Sequence, residues 1–372
     1  MAIQLFVPKF AIDECLAEIR ECLEKGWTGL GYKTVEFEQK WCDYTGLPHA
    51  HFINSATSGL HLALNVLKEA DGWQDEDEII TSGMTFISSN HAILYENLKP
   101  VFADVDEYLC LDPEDVESKI TPRTRAVLFI GIGGNTGQFD RIVEVCRKHG
   151  LRLILDAAHM SGTRLNGRVP TGDVTVYSFQ AVKTLPTADS GMVCFAEKEW
   201  DDICRKKAWM GINKDTFSRT SDKGAYRWLY DVEYVGYKYN GNSIMAAIGL
   251  VQLRYLDRDN AYRRQVAAWY EEGLKGSQIA SIPTAPGCES SRHLFQIHVN
   301  NRDELMLALN ESEIFPGVHY RDNREYGMYK QDVDTCPNTT RMSDRIMSLP
   351  LHLGLSRRDI ETIVDRVRTY GR

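Results

Sequence analysis

Residues Ala126-Val-Leu-Phe-Ile-Gly-Ile-Gly-Gly-Asn-Thr-Gly-Gln-Phe-Asp-Arg-Ile-Val-Glu-Val-Cys-Arg-Lys-His-Gly-Leu-Arg-Leu-Ile-Leu-Asp156 decide the fold. The apolar run Ala126–Gly131 is strand-sized, Phe139–His149 has a helical pattern, and Leu151–Asp156 is a second apolar run. A strand, a helix of about ten residues and another strand form a crossover unit, so the two strands are expected to lie parallel. The alternation extends outward through His51–Ile53, Glu78–Thr81 and Pro100–Asp104 on one side and Val174–Phe179 and Gly191–Phe195 on the other. Helical patterns at Gly59–Lys68 and Ser88–Asn97 fall between them. Seven such runs predict a mostly parallel sheet covered by helices on both faces.

Two helices are expected before the alternation begins, Ile12 to Lys25 and Thr34 to Tyr44, closed by Gly26 and Gly46, the residue type that tolerates a left-handed cap. The pattern changes near residue 240. Ser243 to Leu274 is expected to be one long helix, followed by a strand at Leu294–Val299, a helix at Arg302–Leu309, a strand-like Gly317–Tyr320 and a final helix at Ser356–Tyr370. A large α/β domain, 1–245, is therefore expected to precede a smaller C-terminal α+β domain, 246–372. A chain of 372 residues suits two domains.

Composition narrows the function. Hydrophobic residues at 43% and charged residues at 26% are globular averages. With 43 Lys and Arg against 52 Asp and Glu, the formal net charge is −9 and no long basic stretch occurs, which argues against nucleic acid and anionic membrane as partners. The apolar runs fall far short of the roughly 20 residues of a membrane span. The N-terminus lacks the basic-then-apolar pattern of a secretory signal, so a cytoplasmic location is expected. The nine cysteines are scattered without a Cys-x-x-Cys pair, and neither a zinc site nor a disulfide framework is expected.

Open parallel sheets bind ligands beyond the carboxyl ends of their strands. Four such ends carry suggestive residues. Asn54-Ser-Ala-Thr-Ser-Gly59 opens a helix with small hydroxyl residues, suited to a phosphate as well as to an ordinary N-cap. Asp156 ends an apolar run, where a buried carboxylate needs a partner such as a cationic ring nitrogen, or serves as a helix cap. Lys183, in Ser178-Phe-Gln-Ala-Val-Lys183, closely follows a strand and could act as a Schiff-base nucleophile, although lone lysines are mostly solvated surface residues. Gly131-Ile-Gly-Gly-Asn-Thr-Gly137, with Asp156 about 20 positions on, approaches a dinucleotide fingerprint, but the third glycine falls at 137 where the motif needs 136.

Taken in order, these residues resemble the DegT/DnrJ/EryC1/StrS family of pyridoxal-phosphate sugar aminotransferases. The likeness spans Gly26-Trp-Thr-Gly-Leu-Gly31 with Glu36-Phe-Glu38, Ser55-Ala-Thr-Ser-Gly-Leu-His-Leu-Ala-Leu64, Thr85-Phe86 and Thr121-Pro-Arg-Thr-Arg125. It continues through Asp156-Ala-Ala-His159, Ser178 to Lys183, Gly236-Tyr-Lys-Tyr-Asn240, Ala246-Ala-Ile-Gly249, Val318-His-Tyr320 and Ser348-Leu-Pro-Leu-His352. The resemblance implies the fold of type I pyridoxal-phosphate enzymes. It implies a homodimer with shared active sites and a reaction that carries an amino group from an amino acid, L-glutamate, to a keto group of a nucleotide-linked sugar through pyridoxamine 5′-phosphate.

By the same likeness Lys183 would form the Schiff base with the aldehyde of pyridoxal 5′-phosphate and shuttle the proton. Asp156 would pair with the pyridinium nitrogen, Phe86 would stack on the ring and His159 would sit near its phenolic oxygen. Thr57, Ser58 and Ser178 would bind the phosphate, with Lys238 or Asn240 reaching across from the second subunit. The segment 317–330, with His319, Tyr320 and Arg321, is expected to shape the acceptor site. The chain departs from the family at Gly131-Ile-Gly-Gly and Thr136-Gly-Gln138, where relatives commonly carry a His or Tyr and then Pro-Ala-Asp, and at Ser190-Gly191, where they show Gly-Gly. The first departure motivates an alternative acceptor, a keto-inositol or a small phosphorylated ketone. An NAD-dependent oxidoreductase using the 131–137 turn and a non-catalytic binding protein are the readings from other classes.

Overall fold

The computed structural model describes residues 2–213, 230–329 and 335–371. Its central sheet contains β1 (His49–Ile53), β2 (Glu78–Ser82), β3 (Lys99–Ala103), β4 (Thr124–Ile130) and β5 (Arg152–Asp156). After β6 (Arg164–Leu165), which pairs elsewhere, β7 (Val174–Ser178) and β8 (Gly191–Phe195) complete it. The order across the sheet is β1-β8-β7-β5-β4-β2-β3. Only β8 runs against its neighbours, β1 and β7; all the other pairings are parallel. The seven-stranded, mostly parallel sheet expected from the apolar runs is thus observed. Every residue of β2, β7 and β8 is buried, as in a sheet covered on both faces, which is why these strands read as continuous apolar runs.

The helix that follows the deciding strand, Phe139–His149, buries Phe139, Ile142, Val145 and Cys146 on one stripe and ends at Gly150, whose φ of +65° provides the left-handed cap. The two N-terminal helices, α1 (Ile12–Glu24) and α2 (Tyr32–Thr45), are also where they were expected, and Gly26 and Gly46 have positive φ.

The single helix expected over 243–274 is two, Ser243–Leu253 and Leu256–Leu274. Neither proline nor glycine marks the break. Tyr255 N–H bonds to Gln252 O, a tighter i to i+3 turn, and the two halves then serve different cores. Ser243–Leu253 packs on α1 and α2, whereas Leu256–Leu274 packs on the C-terminal helix Arg357–Tyr370. The strand-like Gly317–Tyr320 is no strand; a lone bridge joins Gly317 to Ser348.

Buried residues gather into a large core around the main sheet and a second built by Val266, Tyr270, Phe295, Ile297, Leu305, Leu349, Ile363 and their neighbours. The second core rests on a small antiparallel sheet in which Phe295–His298 lies between Ile346–Leu349 and Ala280–Ser281. Among the described residues no helix is long and apolar enough to cross a membrane.

Candidate active site

Because β1, β2, β4, β5 and β7 run parallel, their carboxyl ends fall on one edge of the sheet. A cavity of about 440 Å³ opens there, within the size range of cofactor sites. Thr57, Phe86, Asp156, His159, Ser178, Lys183, His319 and Tyr320, all expected at the site from sequence, line it.

One wall is the start of α3 (Ala56–Asp71). Ser55 caps this helix, its Oγ accepting the Ser58 N–H at 3.1 Å, and Ser55, Ala56 and Thr57 present the first turn to the cavity. The positive end of the helix dipole therefore meets the space where an anion would sit. Gly191 lets this turn approach, since a Cβ there would lie 2.9 Å from Ala56 N.

Asp156, the last residue of β5, is 5% exposed. Its Oδ2 accepts the Ser89 hydroxyl at 2.7 Å and its Oδ1 the Ala158 N–H at 3.1 Å. Burial pushes its pKa above the ordinary carboxylate value, and the Ser89 hydroxyl, the Ala158 N–H and the charge on Lys183 pull it back. Lys183 lines the cavity, and among the described residues its ammonium has no hydrogen bond or ion pair. Burial brings it down to about 8, against the opposing pull of Asp156. The two groups feel each other across the cavity without touching.

Histidines form the far wall. His159 Nδ1 accepts the Gly133 N–H at 3.1 Å, so its proton resides on Nε2, 3.3 Å from the Tyr320 hydroxyl. Burial, helped by the charge on Lys183, holds His159 and His293 well below the usual imidazole value and lowers His319 to about 4. All three rings are therefore neutral near pH 7. Burial and the nearby Asp156 raise the Tyr320 phenol, which stays protonated. Phe6 stacks flat on His293, with centroids 5.2 Å apart.

Four expected residues do not line this cavity. The Ser58 hydroxyl is buried behind it and donates to Asn54 Oδ1 at 2.7 Å. Lys238 places its ammonium 3.1 Å from the centre of the Trp209 ring, and Asn240 Nδ2 donates to Gly241 O. Arg321 is exposed and paired with Glu325 at 2.7 Å. Lys330, the last residue of the 317–330 segment, lies outside the described residues. Sequence reasoning missed Phe6, Thr85, Ser89 and His293. For Thr85 and Ser89 a signal was present, since they flank Phe86 in a hydroxyl-rich helix start; for Phe6 and His293, far apart in the chain, none was.

The glycine turn after β4 does not form a dinucleotide site. A Cβ at Gly131 would lie 1.9 Å from Met160 Sδ, and one at Gly134 would lie 2.3 Å from Ser291 Oγ. The turn is glycine-rich because protein packs against it, and the Gly133 N–H is spent on His159. Among the described residues no cluster of His, Cys, Asp or Glu could hold a metal ion.

Spore coat polysaccharide biosynthesis protein SpsC of Bacillus subtilis (strain 168) is 33% identical over 375 residues, covering 95% of this chain and 94% of its own. Spr1654 of Streptococcus pneumoniae, solved in a PMP-form and a PLP-form, superposes with a TM-score of 0.91 for each; identity is 27% and 26%, over 98% and 99% of this chain and 98% of that one. The sugar aminotransferase CalS13 of Micromonospora echinospora superposes with a TM-score of 0.89 at 27% identity, over 99% of each chain. Residues 11–368 match the family's profile, and the chain belongs to the DegT/DnrJ/EryC1/StrS aminotransferase family.

Proposed function

We propose that this chain, acting in the cytoplasm as a homodimer, transfers an amino group from L-glutamate to a keto group of a nucleotide-linked sugar, with pyridoxal 5′-phosphate as carrier. The observation that carries the proposal is the placement of Lys183, unpaired among the described residues, a buried Asp156 and the first turn of α3 around one cavity. These three suit the aldehyde, the ring nitrogen and the phosphate of that cofactor, so the residues fit the group. The PLP-form and PMP-form of Spr1654 and the sugar chemistry of CalS13 support the same reading.

When bound, the cofactor supplies an electrophilic carbon and a ring that takes up electrons from the substrate carbon. The chain supplies everything else. With burial lowering its pKa to about 8, Lys183 is an uncharged amine near pH 7 far more often than an ordinary lysine is. Its Nζ is thus ready both to attack a carbonyl and to carry a proton to and from carbon. Asp156 holds negative charge for a protonated ring nitrogen. The α3 turn, with Thr57 and Ser178, anchors the phosphate. Tyr320 and the neutral His159 offer N–H and O–H groups without adding charge.

Lys238 and Asn240 lie outside their own chain's cavity, and we assign them to the partner's phosphate. Val235, 91% exposed in the same segment, is the kind of apolar residue a dimer contact would cover. The chain is also taken to divide at 245/246; the buried residues of the second core run from Val266 to Val367. The space that a side chain at 131 would fill is taken by Met160, so the departure from the family pattern there does not open a new acceptor pocket.

The test is turnover of L-glutamate to 2-oxoglutarate with a panel of keto nucleotide sugars, a keto-inositol and small phosphorylated ketones. Turnover confined to nucleotide sugars is expected. Turnover of only a free ketone would overturn the acceptor assignment, and tight NAD(H) binding without pyridoxal phosphate would overturn the cofactor.

A further inference from the structure

A buried carboxylate that must stay charged needs donors aimed at it. Asp156 has two, and one of them, Ser89, is a side chain that the family pattern left without a role. Ser89 is wholly buried in α4 (Ile87–Tyr95), and its Oγ also lies 2.9 Å from Thr85 Oγ1. A serine hydroxyl has one hydrogen. Since ionised Asp156 can only accept, Ser89 donates to Oδ2 and Thr85 donates to Ser89, a directed chain Thr85→Ser89→Asp156.

The turn that carries this chain is clamped from far away in sequence. Asn323 Nδ2 donates to Thr85 O at 2.9 Å, Asn323 Oδ1 accepts from Asn90 Nδ2 at 2.9 Å, and Asn323 N–H donates to Gly83 O at 2.9 Å. Asn90 in turn accepts from the Thr81 hydroxyl at 2.9 Å. Thr81, Ser89, Asn90 and Asn323 are each at most 1% exposed. Beside Asn323, Asp322 and Arg324 form an ion pair with both side chains fully buried. Such a network admits one arrangement, because any shift leaves an unpaired polar group away from water.

We propose that Ser89 is a positioning residue for Asp156: its hydroxyl, ordered by Thr85 on the turn that Asn323 holds, aims the carboxylate at the cofactor's ring nitrogen and supplies the hydrogen bond its buried charge requires. The inference rests on the pyridoxal-phosphate reading above and deepens it. Removing the donor leaves Oδ2 buried without a partner, and the carboxyl then takes up a proton more readily and loses its hold on a protonated ring nitrogen.

The experiment compares dissociation constants of the full-length apoprotein for pyridoxal 5′-phosphate and for its 1-deaza analogue, in which C–H replaces the ring nitrogen. Both are measured by absorbance titration between pH 8 and 6. Ser89→Ala should cut the preference for the natural cofactor about tenfold, the loss growing as pH falls, while affinity for the analogue stays within about twofold. Ser89→Cys keeps the volume with a weaker donor and should fall between the two proteins; it also serves if Ser89→Ala folds poorly. Equal weakening toward both ligands would assign Ser89 to packing alone and overturn the proposal, as would an unchanged preference in Ser89→Ala. A wild-type protein with no preference for the natural cofactor would overturn both this inference and the proposed function, whereas a wild-type preference that survives Ser89→Ala would overturn this inference alone.

Discussion

Lys183→Met in the apoprotein tests the electrostatics of the site without any substrate. The ammonium sits in the cavity with no partner among the described residues, and burial brings its pKa from 10.5 to about 8. The folded value lies below the unfolded one, so between about 8 and 10.5 the unfolded chain binds more protons and stability rises with pH. Below about 8 the penalty is complete; above about 10.5 it is gone. At ~1.4 kcal/mol per unit, the full penalty is about 3 kcal/mol. Methionine fills similar volume without charge, and because the lowered value already includes the pull of Asp156, the net gain at pH 6.5 should approach the full ~3 kcal/mol. Urea unfolding of the two apoproteins at pH 6.5, 8, 9 and 10.5 measures it. The variant should be the more stable at pH 6.5, and its advantage should shrink steadily above pH 8. A gain that does not change with pH would show that packing is responsible, and a destabilised variant at pH 6.5 would refute a desolvated ammonium at this position.

Two further substitutions test the packing that shapes the cavity. Arg324→Met strands the fully buried Asp322, and also removes hydrogen bonds to Cys336 O at 3.0 Å and Thr340 Oγ1 at 2.9 Å. The expected loss is about 3–5 kcal/mol in urea unfolding, and a loss below about 1 kcal/mol would mean that water reaches the pair. Gly131→Ala forces a methyl against Met160 Sδ and should cost about 1–3 kcal/mol, a cost that should largely vanish when the same change is made in a Met160→Ala background. An equal cost of Gly131→Ala in both backgrounds would show that Met160 is not the source of the strain.

How far the sequence discloses this site depends on which force placed each residue. The strands were legible because a doubly covered parallel sheet demands unbroken apolar runs, and Asp156 was legible because it ends one of them, whereas Ser178 entered only through the family resemblance. Lys183 became legible only in company, through the ordered resemblance that joins it to Asp156 and the 54–59 turn. The break at Arg254–Tyr255 was not, since helical periodicity continues across it and the cause is packing against two different cores. The glycines at 131–137 were visible but ambiguous. A turn that lets a phosphate approach and a turn that lets Met160 and Ser291 approach both need a missing Cβ, and only the neighbour's identity separates them.

The residues that escaped altogether share one property: their partners are remote in sequence. Asn323 reaches Thr85 across 238 positions, and Phe6 meets His293 from the opposite end of the chain. Hydrophobic burial writes a period into sequence because it is non-directional and acts on every turn of a helix or strand. A hydrogen bond is satisfied once, by one geometry, and leaves no period. The scaffold of this site could therefore be read from composition and spacing, whereas the groups that tune Asp156 could be found only by asking where each buried donor goes.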